Sequence, residues 1–317
     1  MANKAEYVHL LGYFNYSCLF SLFFTLPWIF GGKPLSVGNH PPFNDKIQIM
    51  ITLGFSPCPN DTFIFYAFVN RVIDICGLNV EFHIEDVETL NRLARARSLD
   101  VTKISCHAFH YLQDDYHFLR SGGAFGRGCG PLIISKFPYT EKDLENKSIG
   151  VPGEMTTAYL LLKLFFNAAY GVKPSTVVPM LFHEIPAAVR DGRVDAGLII
   201  HESRFTYQQY GLSRVVDLGE WWEKETGLPI PLGGIIAKKT LGPKIEIIED
   251  LIRRSVKYSL SNPDKAMPFI KKYAQELSET VINKHIGLYV NDFTLDMGEE
   301  GLSSLKELMR RANRAGR

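Results

Sequence analysis

An α/β protein with largely parallel sheets, folded as two lobes, is the class the sequence predicts, and three observations predict it. Strand-like and helix-like segments alternate from about residue 47 onward, the pattern that puts helices on both faces of a sheet. Strands of the same kind return after Pro131, which suggests a second lobe. With 317 residues the chain can bury about three quarters of its unfolded surface, so neither lobe needs a disulfide or metal staple.

The elements follow in order. Residues 31–46, "GGKPLSVGNHPPFNDK", have the Gly, Pro and Asn content of a linker, so the folded unit should begin near Ile47. Ile47 to Phe55 reads as a buried strand. The stretch "SPCPNDT" from Ser56 to Thr62 reads as a stiff polar loop: its prolines fix φ and remove donors. Asn60, Asp61 or Thr62 can each cap the helix expected over Phe63 to Val72. Leu78 to Asp86 alternates as a strand, and Val87 to Ala96 is a helix with an acidic opening. "DVTKISCHAF", "PLIISK" and "KSIGVPG" each supply a strand. Thr156 to Ala169 is an apolar helix, Ile185 to Asp191 a short one, and "VDAGLIIHE" a buried strand. Beyond "GGIIAKK" the pattern is helical: Ile245 to Leu260, Pro263 to Gln275, Glu279 to Tyr289 and Glu300 to Ala315. The last helices are expected to pack back on the first lobe. The expected division is an N-terminal extension and linker over 1–46, the first part of lobe 1 over 47–133, lobe 2 over 134–236, and the C-terminal helices of lobe 1 over 237–317.

Bulk composition narrows the function. Thirty-five basic side chains against 34 acidic ones make no field that would gather nucleic acid or an anionic membrane, so nucleic acid is not expected as a partner. The cysteines, Cys18, Cys58, Cys76, Cys106 and Cys129, are odd in number and contain no C-x-x-C pair. That spacing predicts neither a zinc site nor a disulfide framework and favours a reducing compartment, so a cytoplasmic location is expected. Leu10 to Phe30 is long and apolar enough for a signal peptide or membrane anchor and leaves export or anchoring open. Against both, its flank offers only Lys4, Asn15 and Pro27 interrupt it, and Met50 stands just before "ITLGFSPCP". An upstream or dispensable extension is the reading these residues favour, and no membrane partner is expected for the folded unit.

In open parallel sheets, ligands sit outside the carboxyl ends of the strands, so the turns there carry the functional reading. Four stand out. The loop at Ser56 to Thr62 is the first, offering Ser56 and Asn60; Ser105, Cys106 and His107 follow a strand in the second. In "VPGEMTTAY", Thr156 and Thr157 open a long helix, whose free amides and dipole suit a carboxylate or phosphate; the same threonines also serve as simple caps. In the fourth, His201 ends the strand of "GLIIHES" and is either a structural histidine or a base able to take a proton near neutrality. His83 and His183 have weaker settings. The glycines of "SGGAFGRGCGP" lead into a strand rather than a helix, which excludes a dinucleotide loop, although Arg127 there could face an anion. Of Trp221 and Trp222, core packing is the default for both. Cys58, near a helix start that would lower its pKa, is a minor candidate nucleophile.

Taken together, "LGFSPCPNDTFIFYA", "EDVETLNRLA", "TKISCHAF", "LRSGGAFGRGCGPL", "AGLIIHESRFTYQQYGL", "DLGEWWEKETGLPIPLGG" and "YVNDFTLDMGEEG" resemble the 1,4-dihydroxy-6-naphthoate synthase family of menaquinone biosynthesis, from about Ile47 to Gly301. The resemblance implies a two-lobed fold like the type II periplasmic binding proteins, with two crossing strands between the lobes, near "PLIISK" and "GGIIAKK". It implies a lyase that converts cyclic dehypoxanthinylfutalosine into 1,4-dihydroxy-6-naphthoate without metal or organic cofactor, and it leaves a homodimer open. His201 matches the family's base. Ser105, Thr156 and Thr157 match pocket positions where a carboxylate could bind, with Ser56, Asn60 and Arg127 as further expected substrate contacts. Glu154, beside those threonines, would repel a carboxylate and is expected to face solvent. The rival reading is a non-catalytic solute-binding protein for a small carboxylate, since fold does not fix function.

Overall fold

The computed structural model describes residues 50–171, 176–275 and 278–315, all within the unit Ile47–Arg317. The extension over 1–46, with the apolar segment Leu10 to Phe30, lies outside the described residues. Among those residues no helix is long and apolar enough to cross a membrane.

Among the described residues, eleven strands form two sheets. They are β1 (Met50–Phe55), β2 (Asn79–Ile84), β3 (Val101–Ser105), β4 (Tyr116–Phe118), β5 (Ala124–Gly126), β6 (Leu132–Ser135), β7 (Ser148–Val151), β8 (Thr176–Pro179), β9 (Ala196–Ile199), β10 (Ser213–Asp217) and β11 (Ile230–Lys238). The first sheet has the order β2-β1-β3-β11-β4, with β5 also on β11; the second runs β10-β6-β9-β7-β8. Neither sheet is largely parallel. β1 pairs β2 and β3 in parallel, as β7 pairs β8 and β9, but β11 runs antiparallel to β3, β4 and β5, and β6 antiparallel to β9 and β10. The reversed strands are those that enter a sheet from the other lobe. A strand buried on both faces reads as an apolar run whichever way it points, so sequence pattern could not reveal this.

The chain crosses from first sheet to second between β5 and β6 and returns between β10 and β11. The two crossings lie side by side, because Ile230 and Pro231 pair antiparallel with Gly126 and Phe125. The sequence boundaries at 133 and 236 each fall inside a strand: β6 belongs wholly to the second sheet and β11 to the first.

The helices are α1 (Pro59–Val69), α2 (Val87–Arg95), α3 (Cys106–Phe109), α4 (Thr157–Tyr170), α5 (Ile185–Arg190), α6 (Ser203–Thr206), α7 (Leu218–Thr226), α8 (Lys244–Ser261), α9 (Pro263–Tyr273), α10 (Glu279–Tyr289), α11 (Asp292–Leu295) and α12 (Gly298–Ala315). Helix α1 is apolar nearly all round because it is covered on both sides. Phe55 of β1 stacks on its Phe65 at 4.7 Å, and α8, α9 and α10 pack over its other face. Ser255 of α8 fastens the pair, donating to Ile64 O and accepting from Phe68 N. The first core therefore joins β1, α1 and α8–α10; a larger one runs through α4, α7, α12 and both sheets.

Candidate active site

Four loops at strand carboxyl ends meet at one cavity, walled by apolar residues with a few converging polar groups, the usual make-up of a small-molecule site. Apolar walls come from Val87, Ile104, Ala124, Ala158, Ile200 and Leu232. Polar groups project from Asn60, Asp61, Lys103, Ser105, Thr156, Thr157 and His201. Five of the seven residues expected from sequence therefore line one space: His201, Asn60, Ser105, Thr156 and Thr157.

The other two do not. Ser56 is buried behind the cavity, where its hydroxyl donates to Asp61 Oδ2 at 2.6 Å. Arg127 is bound at the surface: it donates to Glu300 Oε1 at 2.8 Å and to Gly227 O at 3.0 Å. The glycine-rich setting made Arg127 look like an anion ligand, but a carboxylate of α12 already occupies it.

The loop after β1 differs in detail from its expected form. Helix α1 starts at Pro59, four residues early, and Cys58 holds the cap position without a side-chain bond. None of Asn60, Asp61 and Thr62 caps. Asp61 instead turns back and gathers the Ser56 hydroxyl, the Asn60 amide at 2.9 Å and the Lys103 ammonium at 2.9 Å. Lys103 and Asp61 are both almost fully buried, and Lys103 also donates to Gly122 O at 2.9 Å. A buried pair of this kind persists only because each charge is matched. A single lysine in a strand reads as a solvent-facing residue, so sequence alone does not mark Lys103.

Helix α4 meets the cavity with its amino end. Thr156 caps it, accepting from Tyr159 N at 3.2 Å and donating to Gly153 O at 2.7 Å. The Thr157 hydroxyl donates to Leu232 O at 2.7 Å and accepts from His107 N at 3.1 Å. Both hydroxyls are thus committed to the protein, and what the helix offers a ligand is its first amides, at Thr157 and Ala158, which have no intrahelical acceptor. Glu154 is exposed, as expected. The turn before it is tight: Gly153 has φ +144°, and a Cβ there would lie 2.4 Å from the Glu88 carboxyl carbon. Ser105, at the end of β3, accepts from Asn91 Nδ2 at 3.3 Å, and its amide donates to Asn91 Oδ1 at 2.9 Å.

His201 follows the buried strand β9 and adopts φ +54°, a left-handed conformation that costs a non-glycine residue energy and recurs at functional sites. Phe182 packs edge-on against its ring at 5.1 Å, and the other face lies over the ring of His285 at 6.0 Å. Burial drives its pKa down to about 4; Asp61 opposes the shift and Lys103 reinforces it. The imidazole is therefore neutral at neutral pH, with one lone pair. His285, fully buried in α10, was missed from sequence. Its Nε2 meets Asn60 Oδ1 at 2.9 Å and its Nδ1 lies 3.7 Å from Glu202 Oε2.

The cysteine reading fails on electrostatics. Burial raises the Cys58 thiol well above its usual pKa, and nearby Glu202 raises it further, the opposite of what a nucleophilic thiolate needs. The paired tryptophans stay out of the cavity: Trp222 is fully buried, donating to Pro229 O at 3.0 Å, and Trp221 packs on Phe165.

Known proteins agree with this architecture. Residues 51–314 match a family described as menaquinone biosynthesis. The chain is 49% identical over 267 residues to a 1,4-dihydroxy-6-naphthoate synthase of Thermus thermophilus, covering 84% of this chain and 95% of that one. With the synthase of Streptomyces coelicolor it shares 45% over 274 residues, covering 86% and 94%. Among solved structures, protein AF1704 from Archaeoglobus fulgidus has 38% identity and a TM-score of 0.78 over 84% of this chain and 98% of that one. The periplasmic aliphatic sulphonate binding protein of Escherichia coli aligns with a TM-score of 0.60 over 84% and 87%, at 13% identity, and so shares the fold alone. The fold is that of the periplasmic binding proteins, and the chain belongs to the menaquinone-biosynthesis family in which the 1,4-dihydroxy-6-naphthoate synthases are found.

Proposed function

We propose that this protein is a carbon–carbon lyase that converts cyclic dehypoxanthinylfutalosine into 1,4-dihydroxy-6-naphthoate, with His201 as general base. The observation that carries the reading is a neutral imidazole, held in a strained backbone conformation, at the edge of a cavity whose remaining polar groups can orient an acid. Near-half identity to two synthases supports the reaction class over the non-catalytic solute-binding alternative.

In this mechanism His201 removes the proton next to the substrate's ketone. The electron pair forms an enolate, a carbon–carbon bond then breaks with release of the sugar-derived fragment, which takes the electron pair and the proton held on His201, and the remaining ring system becomes the aromatic product. Aromatisation supplies much of the driving force, so the protein contributes a base, orientation and charge stabilisation. A positioned base is worth about 10²–10⁴-fold. The amides of Thr157 and Ala158 receive the substrate carboxylate at the positive end of α4, and the Ser105 hydroxyl assists. The Lys103 ammonium has three donors, two of which serve Asp61 and Gly122, and the third is suited to the enolate oxygen. The apolar walls take the planar ring system.

The test is His201→Ala assayed with cyclic dehypoxanthinylfutalosine, with products followed by mass spectrometry. Turnover should disappear while substrate affinity stays near that of the parent protein. Turnover within tenfold of the parent would remove His201 from the mechanism.

A further inference from the structure

We propose that Cys58, His201 and Glu202 form a capture site for a thiophilic divalent cation such as Zn²⁺, and that an ion bound there switches the His201 base off. The second half rests on the function proposed above; the first does not.

The Cys58 sulfur, a ring nitrogen of His201 and a carboxylate oxygen of Glu202 all lie within 4.8 Å of one another, and among the described residues they are the one such trio of metal-ligating side chains. They reach that spot from opposite lobes. Cys58 sits between two prolines in the loop after β1 of the first sheet, while His201 and Glu202 follow β9 of the second. Cysteine spacing in the chain therefore carries no sign of it.

Thiolate, imidazole and carboxylate together are the donor set that zinc accepts in tetrahedral sites. Ligand bonds of about 2.0–2.3 Å put donor atoms about 3.5 Å apart around such an ion, so the trio must close by roughly 1 Å. Cys58 and Glu202 are 3% and 6% exposed, which shields two ligands from water, while His201 borders the cavity and gives the ion its route in and a fourth position for water. Two negative ligands balance the charge of the ion. On binding, the sulfur–hydrogen bond of Cys58 is replaced by a sulfur–metal bond, and the proton leaves to solvent.

The consequence for His201 does not depend on which nitrogen binds. A neutral imidazole has one lone pair; once that pair is given to a metal, the other nitrogen carries hydrogen and cannot accept a proton. Metal occupancy and base catalysis exclude one another. Cys58 does not line the cavity and has no part in the proposed chemistry.

The experiment uses the metal-stripped full chain titrated with Co²⁺, whose bond to a thiolate gives a charge-transfer band in the near ultraviolet. One equivalent should produce the band. It should persist in Cys76→Ser, which removes the exposed thiol among the described residues, and in Cys18→Ser, and vanish in Cys58→Ser and in Cys58→Ala; circular dichroism shows whether each variant is folded. Zn²⁺ should displace the cobalt, abolish turnover in the parent protein, and be reversed by EDTA. Cys58→Ser should turn over normally and need at least tenfold more Zn²⁺ for the same inhibition. No band in the parent protein, or a band unchanged in folded Cys58 variants, overturns the site. A band with turnover unaffected by bound metal leaves the Cys58 ligand standing and overturns the switch, whereas the His201→Ala assay above decides His201 as the base.

Discussion

The imidazoles of His201 and His285 lie face to face, 6.0 Å between ring centres and 6° between planes. One comes from the end of a strand in the second sheet and the other from a C-terminal helix packed on the first, so the stack joins the lobes behind the cavity. Burial pushes both pKa values down, and His285 is lowered further by His201. A proton on either ring would be taken out of water beside a second imidazole, and at His201 this desolvation outweighs the opposing pull of Asp61, which keeps the pair neutral.

That neutrality predicts the pH dependence of turnover. A histidine with its ordinary pKa would lose base activity as pH falls through about 6.5. With the His201 pKa at about 4, kcat/KM should stay level from neutral pH to about pH 5 and decline only below that. Measuring kcat/KM between pH 4 and 8 checks this, and an acid limb centred near 6.5 would contradict the buried neutral base.

The Lys103 and Asp61 pair predicts a stability asymmetry. Lys103→Met leaves Asp61 buried with its main countercharge gone, which should cost about 3–5 kcal/mol. Lys103→Met combined with Asp61→Asn should cost clearly less than the sum of the two single changes, because no unmatched charge remains. Urea unfolding of the two single variants and the double variant gives the coupling directly. Additive losses would mean that the two charges do not depend on each other.

The chain's own order shows why part of this site could be read before folding and part could not. His201, Thr156, Thr157 and Ser105 stand in turns right after strands, where side chains of an α/β protein meet ligands, so position alone marks them. Lys103 lies inside β3 and His285 inside α10, where a lysine reads as solvated and a histidine as one more helical residue. Only the fold brings His285 to Asn60, 225 positions away. Arg127 shows the opposite failure: its local setting suggested an anion, and a distant carboxylate, Glu300, had already taken the charge. Strand direction was likewise hidden, since β6 and β11 look the same in sequence whichever way they run.

Gly153 fixes the approach of helix α4 to the cavity. Gly153→Ala would place a Cβ within 2.4 Å of the Glu88 carboxyl carbon at a φ of +144°, where an L-residue is strained. The backbone should cost about 1–3 kcal/mol, and Glu88 should be forced from Met155 N, which it now accepts at 3.4 Å. Because the displaced turn carries the amides proposed for the substrate carboxylate, KM should rise by more than kcat falls. Steady-state kinetics distinguish this from a loss confined to kcat, which would place the carboxylate elsewhere.

Acid should unfold the protein through its buried histidines. His107 is 2% exposed, and burial lowers its pKa to about 4, with Lys163 adding to the shift and Thr156 O opposing it. The unfolded chain binds a proton at His107 below about pH 6.5 while the folded protein does not, so the unfolded state gains protons and stability falls as pH drops from 6.5 towards 4. The loss is about 1.4 kcal/mol per pH unit for one such group, and about 3 kcal/mol across the window; above pH 6.5 the contribution is complete. His107→Asn removes this titration without adding a charge. The difference in urea-unfolding free energy between pH 7 and pH 5 should shrink by about 2 kcal/mol in that variant. An unchanged difference would show that His107 takes up its proton equally well in both states, which a ring wedged under the amino end of α4 cannot do.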